Sequence, residues 1–176
     1  MTLAAAVVLA ACGAEPPHVI GRAGLGDGAF RHPRGVAVSD RGLAVLDRSG
    51  RLQILDHDGR FERSIEIVGG DVRRGLPIGC AWLPDGRIAV ADTHQSRVRV
   101  LDLETGAQTV LGGYGLSPGE FLYPQRVAAT PEGTLVVSDH GMGATNRIQR
   151  ILPDGRAESV FGGPDPADGG LVRPMG

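Results

Sequence analysis

Residues Phe30–Gly59, FRHPRGVAVSDRGLAVLDRSGRLQILDHDG, decide the fold because the chain repeats their pattern. The pattern returns at Leu76–Gly106 (LPIGCAWLPDGRIAVADTHQSRVRVLDLETG) and Phe121–Gly155 (FLYPQRVAATPEGTLVVSDHGMGATNRIQRILPDG), and begins again at Val172–Gly176. The prolines that mark the repeats are Pro33, Pro77, Pro124 and Pro174. A period of roughly 40 to 50 residues built from short strands is typical of the blades of a β-propeller.

Within the first repeat, short apolar or alternating runs predict four strands. They cover residues 36–38, 43–46, 51–55 and 63–68, and residues that favour turns separate them. We therefore predict an all-β fold, a β-propeller of four-stranded antiparallel blades. The propeller should cover residues 19–176, with blades at about 30–70, 76–113 and 121–163 and the start of a further blade at 171–176.

A glycine pair or its equivalent follows each predicted outer strand. These segments are Val19–Gly21, Val68–Gly70, Leu111–Gly113 and Phe161–Gly163. The segment at Val19–Gly21 predicts an outer strand ahead of the first full repeat. Such a strand is placed to close a ring when the last inner strands of a propeller pair with it.

The repeated motifs resemble the NHL repeat. The resemblance rests on Phe30 and Pro33, on Gly35–Val38, on Val45–Asp47 and on the Asp-x-x-Gly turn at Asp56–Gly59, together with their counterparts in the later repeats. It covers about residues 19–176, and it departs from the pattern at residues 78–82 and through an insertion at residues 141–144. The resemblance implies a six-bladed β-propeller, of which about three blades are present as an open arc.

The bulk composition limits the classes of function. The 41% hydrophobic content with 28 Gly and 12 Pro suits a single all-β domain with many turns. A net charge of -2 argues against a nucleic-acid partner, because phosphate binding needs clustered Lys and Arg. The sequence has no run of 18 or more apolar residues, so we expect no membrane-spanning helix.

The first residues resemble a bacterial lipoprotein signal. An apolar run, Leu3–Ala11, precedes Cys12, and Leu9–Cys12 is similar to the lipobox, whose cysteine receives a lipid. We predict a signal peptide at residues 1–11, lipidation of Cys12, a tether at residues 12–18 and a lipid-anchored location in the bacterial cell envelope, on the periplasmic or extracellular side. The alternative is an unremarkable apolar tail, since no Lys or Arg precedes the run.

Two further features have structural interpretations. Cys80 stands in an inner-strand position, which predicts a buried and unreactive thiol rather than a nucleophile. The glycine-rich stretch Gly24–Gly28 looks like a phosphate-binding loop, but it leads towards Pro33 rather than into a helix. We interpret it as a connector between blades.

An acidic and a basic residue recur around the turn between the second and third strands. The pairs are Asp47 with Arg51, Asp92 with Arg97 and Asp139 with Arg147. Because the pairing recurs in every repeat, we interpret the pairs as structural ion pairs that fix the loop, not as catalytic groups.

In each blade, the loop after the second strand and the loop that leads into the innermost strand should lie on the same face of the propeller. This would gather one set of side chains around an end of the central tunnel: His32, Arg34, Arg48, His94, Tyr123, Arg126 and His140. We predict a ligand-binding site there, with Arg34 as its least certain member. Imidazole groups also suit metal binding, yet we predict no metal and no cofactor, because a tunnel metal would need ligands from most blades. The alternative is that all these side chains are ordinary solvated loop residues.

The leading functional hypothesis is a non-catalytic, envelope-anchored scaffold that binds a protein, peptide or glycan. The alternative is a propeller enzyme resembling metal-dependent lyases or lactonases, with His94 and His140 as the available ligands. A third possibility is that the chain is an incomplete part of a longer product. Open blade edges also predict self-association, and two copies of three blades would complete a six-bladed ring.

Overall fold

The described residues of the computed structural model form three antiparallel sheets of four strands each and one small sheet of two parallel strands. The structure describes residues 19–67, 77–141, 146–163 and 170–171. Blade 1 contains β3 (Pro33–Ser39), β4 (Gly42–Asp47), β5 (Arg51–Leu55) and β6 (Phe61–Glu66). Blade 2 contains β7 (Gly79–Trp82), β8 (Ile88–Asp92), β9 (Arg97–Leu101) and β10 (Gln108–Leu111). Blade 3 contains β11 (Pro124–Ala129), β12 (Leu135–Asp139), β13 (Arg147–Ile151) and β14 (Ala157–Phe161).

The strands of each blade are hydrogen-bonded in chain order, so each blade is a simple meander. The predicted all-β fold of four-stranded antiparallel blades is confirmed, and the three blades form an open arc. The helical content of the described residues is a single 3₁₀ turn at Thr93–Gln95. None of the helical structure in those residues is long or apolar enough to cross a membrane.

The segment before blade 1 differs from the expected outer strand. Val19–Gly21 form no strand; instead β1 (Arg22–Ala23) pairs in parallel with β2 (Ala29–Phe30). The residues before Val19, where most of the expected outer strand would lie, are outside the described residues. Strand hydrogen bonds there would need an adjacent strand, and the described residues supply none.

The hydrophobic core lies between the blades. Each blade has one face that packs towards the next blade in chain order, which we call its trailing face. We call the opposite face its leading face. The trailing face of blade 1 packs Leu46 and Leu52 against Cys80 and Val90 on the leading face of blade 2. The blade 2–blade 3 interface is built in the same way from Ala91, Val98, Val127 and Val137. Each blade is thus stabilised by its neighbours, as in other repeat proteins.

Glycine lets the innermost strands approach each other closely. A Cβ atom on Gly35 would lie 2.8 Å from the carbonyl oxygen of Ile78, and one on Gly79 would lie 2.8 Å from that of Gln125. Side chains at these positions would collide with the next blade. The equivalent residue of blade 3 is Arg126, because Gly79 pairs with Ala91 and Arg126 pairs with Ser138 at the same level of the sheet.

Candidate functional site

The predicted ligand-binding residues lie on or next to the loops at one edge of the arc. We call this edge the loop face; it comprises residues 31–33, 48–50, 93–96, 122–123 and 140–141. The backbone brings these loops together, since the N–H of Arg48 donates to the carbonyl of His32 (3.2 Å) and the N–H of His140 donates to that of Tyr123 (3.0 Å). In blades 1 and 3, the loop after the second strand therefore lies beside the start of the innermost strand.

Blades 2 and 3 bring the predicted aromatic residues together. The rings of His94 and Tyr123 meet edge to face, with centroids 6.2 Å apart and planes inclined by 77°. His94 is exposed, while Tyr123 and His140 are partly buried. Ser96 helps to hold the two blades together, because its hydroxyl donates to the carbonyl of Leu122 at 2.7 Å. This corner of the loop face offers imidazole and phenol groups that a ligand can contact.

The other residues predicted to bind a ligand lie apart from His94 and Tyr123. His32, Arg34 and Arg48 are exposed on blade 1, and His32 has a left-handed backbone conformation with φ of 52°. Arg126 is exposed and its guanidinium lies 3.4 Å from the carbonyl oxygen of Ile78. Among the described residues, no hydrogen bond or ring contact joins His32 or Arg48 to the cluster around Tyr123.

The recurring acidic and basic residues form ion pairs in all three blades. The nitrogen-to-oxygen distances are 3.1 Å for Arg51–Asp47, 2.9 Å for Arg97–Asp92 and 3.2 Å for Arg147–Asp139. All three carboxylates are buried. In blade 2, Arg99 adds a second contact to Asp92 at 2.8 Å, which the sequence analysis did not anticipate.

The ion pairs of blades 1 and 3 hold the connector that precedes each blade. We call residues 21–30 the first hook and residues 112–121 the second hook. Arg51 donates to the carbonyls of Leu25 and Ala29 in the first hook, and Arg147 donates to those of Leu116 and Glu120 in the second. Gly24–Gly28, which resembled a phosphate-binding loop, lies within the first hook, where the Gly24 N–H bonds to the Phe30 carbonyl at 3.1 Å.

Two of the three buried carboxylates, those of Asp47 and Asp139, respond differently to their surroundings. Burial acts to raise the pKa of Asp47, but hydrogen bonds from Ser49, the Arg31 N–H and Arg51 outweigh it and leave that pKa below its ordinary value. Burial raises the pKa of Asp139 above its ordinary value, although the N–H groups of Tyr123 and Leu122 and the Arg147 guanidinium oppose the rise. Equivalent residues of two repeats therefore have opposite pKa shifts.

The described residues contain no group of three or more His, Cys, Asp or Glu side chains that could hold a metal ion. Cys80 is buried on β7 and its thiol contacts the carbonyl of Ala44 at 3.8 Å. Burial raises the pKa of Cys80 to about 12, against a small opposing effect of Arg126, so the thiolate that reacts with electrophiles is scarce. Cys12 and the predicted signal peptide and tether lie outside the described residues, as do residues 142–144 of the insertion and residues 172–176 of the fourth repeat.

The fold matches propellers of known structure. The virginiamycin B lyase from Staphylococcus aureus aligns with 76% of this chain and 42% of its own, at a TM-score of 0.58 and 16% identity. Hydrazine synthase from Kuenenia stuttgartiensis aligns with 73% of this chain and 36% of its own, at a TM-score of 0.57 and 22% identity. A catalytically inactive form of the same lyase with quinupristin gives a TM-score of 0.57 at 15% identity, over 81% of this chain and 42% of its own. These likenesses show the fold alone.

The sequence itself matches a curated NHL-repeat protein. The human E3 ubiquitin-protein ligase NHLRC1 is 26% identical over 135 residues, which are 69% of this chain and 32% of the relative. This chain is a β-propeller arc whose sequence is similar to that of an NHL-repeat protein. It spans about a third of the length of the curated relative it matches. No protein-family model matches the chain.

Two buried glutamines of the propeller arc, Gln53 and Gln149, were not identified from the sequence. Gln53 donates to the carbonyl of Ala29 at 2.7 Å, and Gln149 donates to that of Glu120 at 2.7 Å. Each also accepts a hydrogen bond from a hook glycine through its Oε1 atom. The signal was present in the sequence, because RLQIL (residues 51–55) and RIQRI (residues 147–151) have Gln at the same position. These glutamines satisfy buried backbone groups and anchor the hooks.

Proposed function

We propose that this chain is an NHL-type propeller scaffold, anchored in the bacterial cell envelope, that binds a protein, peptide or glycan through its loop face. The observation that carries the proposal is the contact between the rings of His94 and Tyr123, contributed by two blades, beside which the backbone of His140 is bonded to that of Tyr123. Tyrosine and similar amphipathic rings supply contact area together with a polar group, which suits them to binding surfaces. A rigid sheet scaffold holds these side chains, so binding should cost little conformational entropy.

A photo-crosslinking experiment tests the loop face. Replacing Tyr123 with a photoreactive phenylalanine analogue should yield a discrete crosslinked product in intact cells. Tyr114 is a matched control because it is the other tyrosine and is 79% exposed, but it lies on the second hook away from the loop face. Equal products at both positions, or none at Tyr123, would contradict the proposed binding face.

The proposed anchor rests on the sequence of the leader. Leu9–Cys12 resembles a lipobox, and a diacylated cysteine supplies enough apolar chain for stable membrane attachment. The Cys12→Ser substitution should move the protein from the membrane fraction to the soluble fraction. A Cys80→Ser variant is the matched control, since that thiol is buried in the propeller. Unchanged partitioning of Cys12→Ser would remove the anchor from the proposal.

The proposal is for a non-catalytic role. A propeller lyase is the alternative, and the structural likeness to virginiamycin B lyase concerns the fold alone at 16% identity. Metal analysis of the protein purified without chelators distinguishes the two. Stoichiometric metal that is lost in a double His94→Ala and His140→Ala variant would favour the enzyme.

A further inference from the structure

The loop face and the opposite edge of the arc differ in charge. In each meander the first and third turns lie at the edge opposite the loop face, which we call the hairpin face: residues 40–41, 56–60, 83–87, 102–107, 130–134 and 152–156. Every one of these turns carries at least one acidic residue: Asp40, Asp56, Asp85, Asp102, Glu132 and Asp154 are examples. The loop face has arginines and histidines and no acidic residue. The described part of the chain is therefore polarised from one edge to the other.

Arginines of the hairpin face are neutralised within their own turns. Arg87 pairs with Asp85 at 2.8 Å, and Arg156 pairs with Asp154 at 2.7 Å. Each guanidinium has a carboxylate two residues before it in the chain. These arginines therefore add little net positive charge to their surroundings.

The arginines of the loop face have no such partners. Arg31 and Arg48 are exposed and lie together, because the N–H of Arg48 donates to the carbonyl of Arg31 at 2.9 Å. Neither forms an ion pair with another described residue. The aspartates that border the loop face, Asp47, Asp92 and Asp139, are buried and already paired with other arginines.

Two further exposed arginines lie on the innermost strands, just inside the loop face. Arg34 is on β3 and Arg126 is on β11, and these strands and β7 carry no acidic residue. The Arg126 guanidinium lies 3.4 Å from the carbonyl oxygen of Ile78, and a Cβ atom on Gly35 would lie 2.8 Å from the same oxygen. Arg126 of blade 3 thus extends past the innermost strand of blade 2 towards the strand that carries Arg34.

The acidic residues at this end of the blades stand on the outer side. Asp27 and Glu120 belong to the two hooks, which are bonded to the third strands β5 and β13, and Glu66 ends the outermost strand β6. The Glu120 carboxylate also accepts the N–H of Ser117 at 2.9 Å. The positive charge on the inner side of the loop face therefore has no neutralising carboxylate among the described residues.

We propose that the inner rim of the loop face, formed by Arg31, Arg34, Arg48 and Arg126, binds an acidic segment of a partner protein. The inference rests on the proposed function, because it assigns a chemistry to the ligand of that face. Guanidinium groups hold carboxylates through paired, charge-assisted hydrogen bonds. Clusters of arginine recur in domains that recognise acidic motifs.

An acidic peptide suits this surface better than a nucleic acid does. Arg34 and Arg126 lie on the concave inner side of the arc, which an extended peptide can enter and the convex surface of a duplex cannot. A long polyanion would also extend beyond the rim over a protein whose net charge is -2, and phosphate binding needs basic residues along its whole path. A short acidic segment meets the rim alone.

Fluorescence polarisation with a fluorescein-labelled hexaglutamate peptide tests the rim. The wild-type chain should bind this peptide, and the affinity should fall as sodium chloride is added, because salt screens exposed charges. A double Arg34→Ala and Arg126→Ala variant should bind about tenfold more weakly, since hydrogen bonds between charged groups are lost. Circular dichroism checks that the variant is folded.

A matched double variant on the hairpin face controls for net charge. Arg41→Ala with Arg60→Ala removes the same two charges from exposed positions and should keep the wild-type affinity. Equal losses in the two double variants would show that only the net charge matters and would overturn the proposed rim. Failure of the wild-type chain to bind hexaglutamate would overturn it as well.

A thymidine oligonucleotide of equal charge tests the class of partner. It should bind more weakly than hexaglutamate at the same salt concentration, and a hexalysine peptide should not bind. Tighter binding of the oligonucleotide would overturn the assignment of an acidic peptide as the partner.

Photo-crosslinking at Tyr123 separates this inference from the proposed function. The crosslinked product should be lost in the Arg34→Ala and Arg126→Ala variant and kept in the hairpin-face variant. A product that persists unchanged without the two rim arginines would overturn the inference and leave the proposed function in place. No product even in the otherwise unchanged chain would contradict the proposed function and, with it, the partner assigned to the rim.

Discussion

Phe30 and Phe121 occupy the same position in two hooks of nearly identical structure, yet their environments differ. In each hook a Cβ atom on the glycine with positive φ, Gly21 or Gly112, would lie 2.5 Å from the phenylalanine ring. Phe121 is fully buried because blade 2 covers it, while Phe30 is only partly buried because no described blade precedes it. The local sequence therefore determines the hook, and the neighbouring blade determines how much that hook contributes to stability.

The largest expected difference follows from shortening the two phenylalanines. Phe121→Ala should lower the free energy of unfolding by about 3 to 5 kcal/mol, because it leaves a cavity in the blade 2–blade 3 core. Phe30→Ala should cost clearly less, since its ring is already partly in contact with water. Urea unfolding followed by the fluorescence of Trp82 measures both. Equal losses would mean that the covering blade contributes nothing to the burial energy.

A smaller difference should come from adding one methyl group at the interface between innermost strands. Gly79→Ala places a Cβ atom 2.8 Å from the Gln125 carbonyl and 2.9 Å from the Arg126 Cα, so blade 3 must shift. We expect a loss of about 1 to 3 kcal/mol, typical of overpacking. Gly26→Ala is the matched control in the open first hook, because its Cβ would meet nothing within 4 Å. A neutral Gly79→Ala would show that the interface is loosely packed.

The pH dependence of the free energy of unfolding should distinguish the contribution of Asp47 from that of Asp139. The lowered pKa of Asp47 means that its contribution is present above the unfolded value of 3.8 and is lost as the pH falls through the folded pKa. The raised pKa of Asp139 has the opposite sign: its contribution is present below 3.8 and is lost as the pH rises through the folded pKa.

Asparagine substitutions measure these two contributions. Asp47→Asn should reduce the loss of stability on acidification, and Asp139→Asn should reduce the decline as the pH rises from about 4 towards neutral. Unfolding free energies across this range, compared with the wild type, give the slopes. Two variants with the same change of slope would contradict the assignment of opposite pKa shifts.

The least perturbing test uses Cys80 as a reporter of the blade 1–blade 2 interface. In a Cys12→Ser background, the native protein should react with a thiol reagent at pH 8 far more slowly than the unfolded chain, since burial raises the pKa of this thiol to about 12. Labelling in increasing urea measures this. Rapid labelling of the native state would mean that the interface opens readily.

Repetition made much of the fold predictable. Asp47 and Asp139 were recognised as partners of Arg51 and Arg147 because the same spacing recurs around the same turn. The glycine motif at Val19–Gly21 indicates a turn, since Gly21 has a positive φ, and the described residues there form no strand. The cluster of His94 with Tyr123 was only partly foreseeable, since it depends on the angle between two blades.

The sequence by itself determined the strands, the turns and the hooks, because these are local patterns of alternation, glycine and paired charge that each repeat restates. The tertiary structure alone decided which equivalent residues are buried, because burial depends on whether another blade lies alongside. Val127 is therefore a core residue while Val36, in the same position of its own sheet, is 62% exposed. The pKa shifts of Asp47 and Asp139 depend on both levels, because burial acts to raise each pKa while the hydrogen bonds from Ser49, two residues along the chain, help to outweigh it at Asp47.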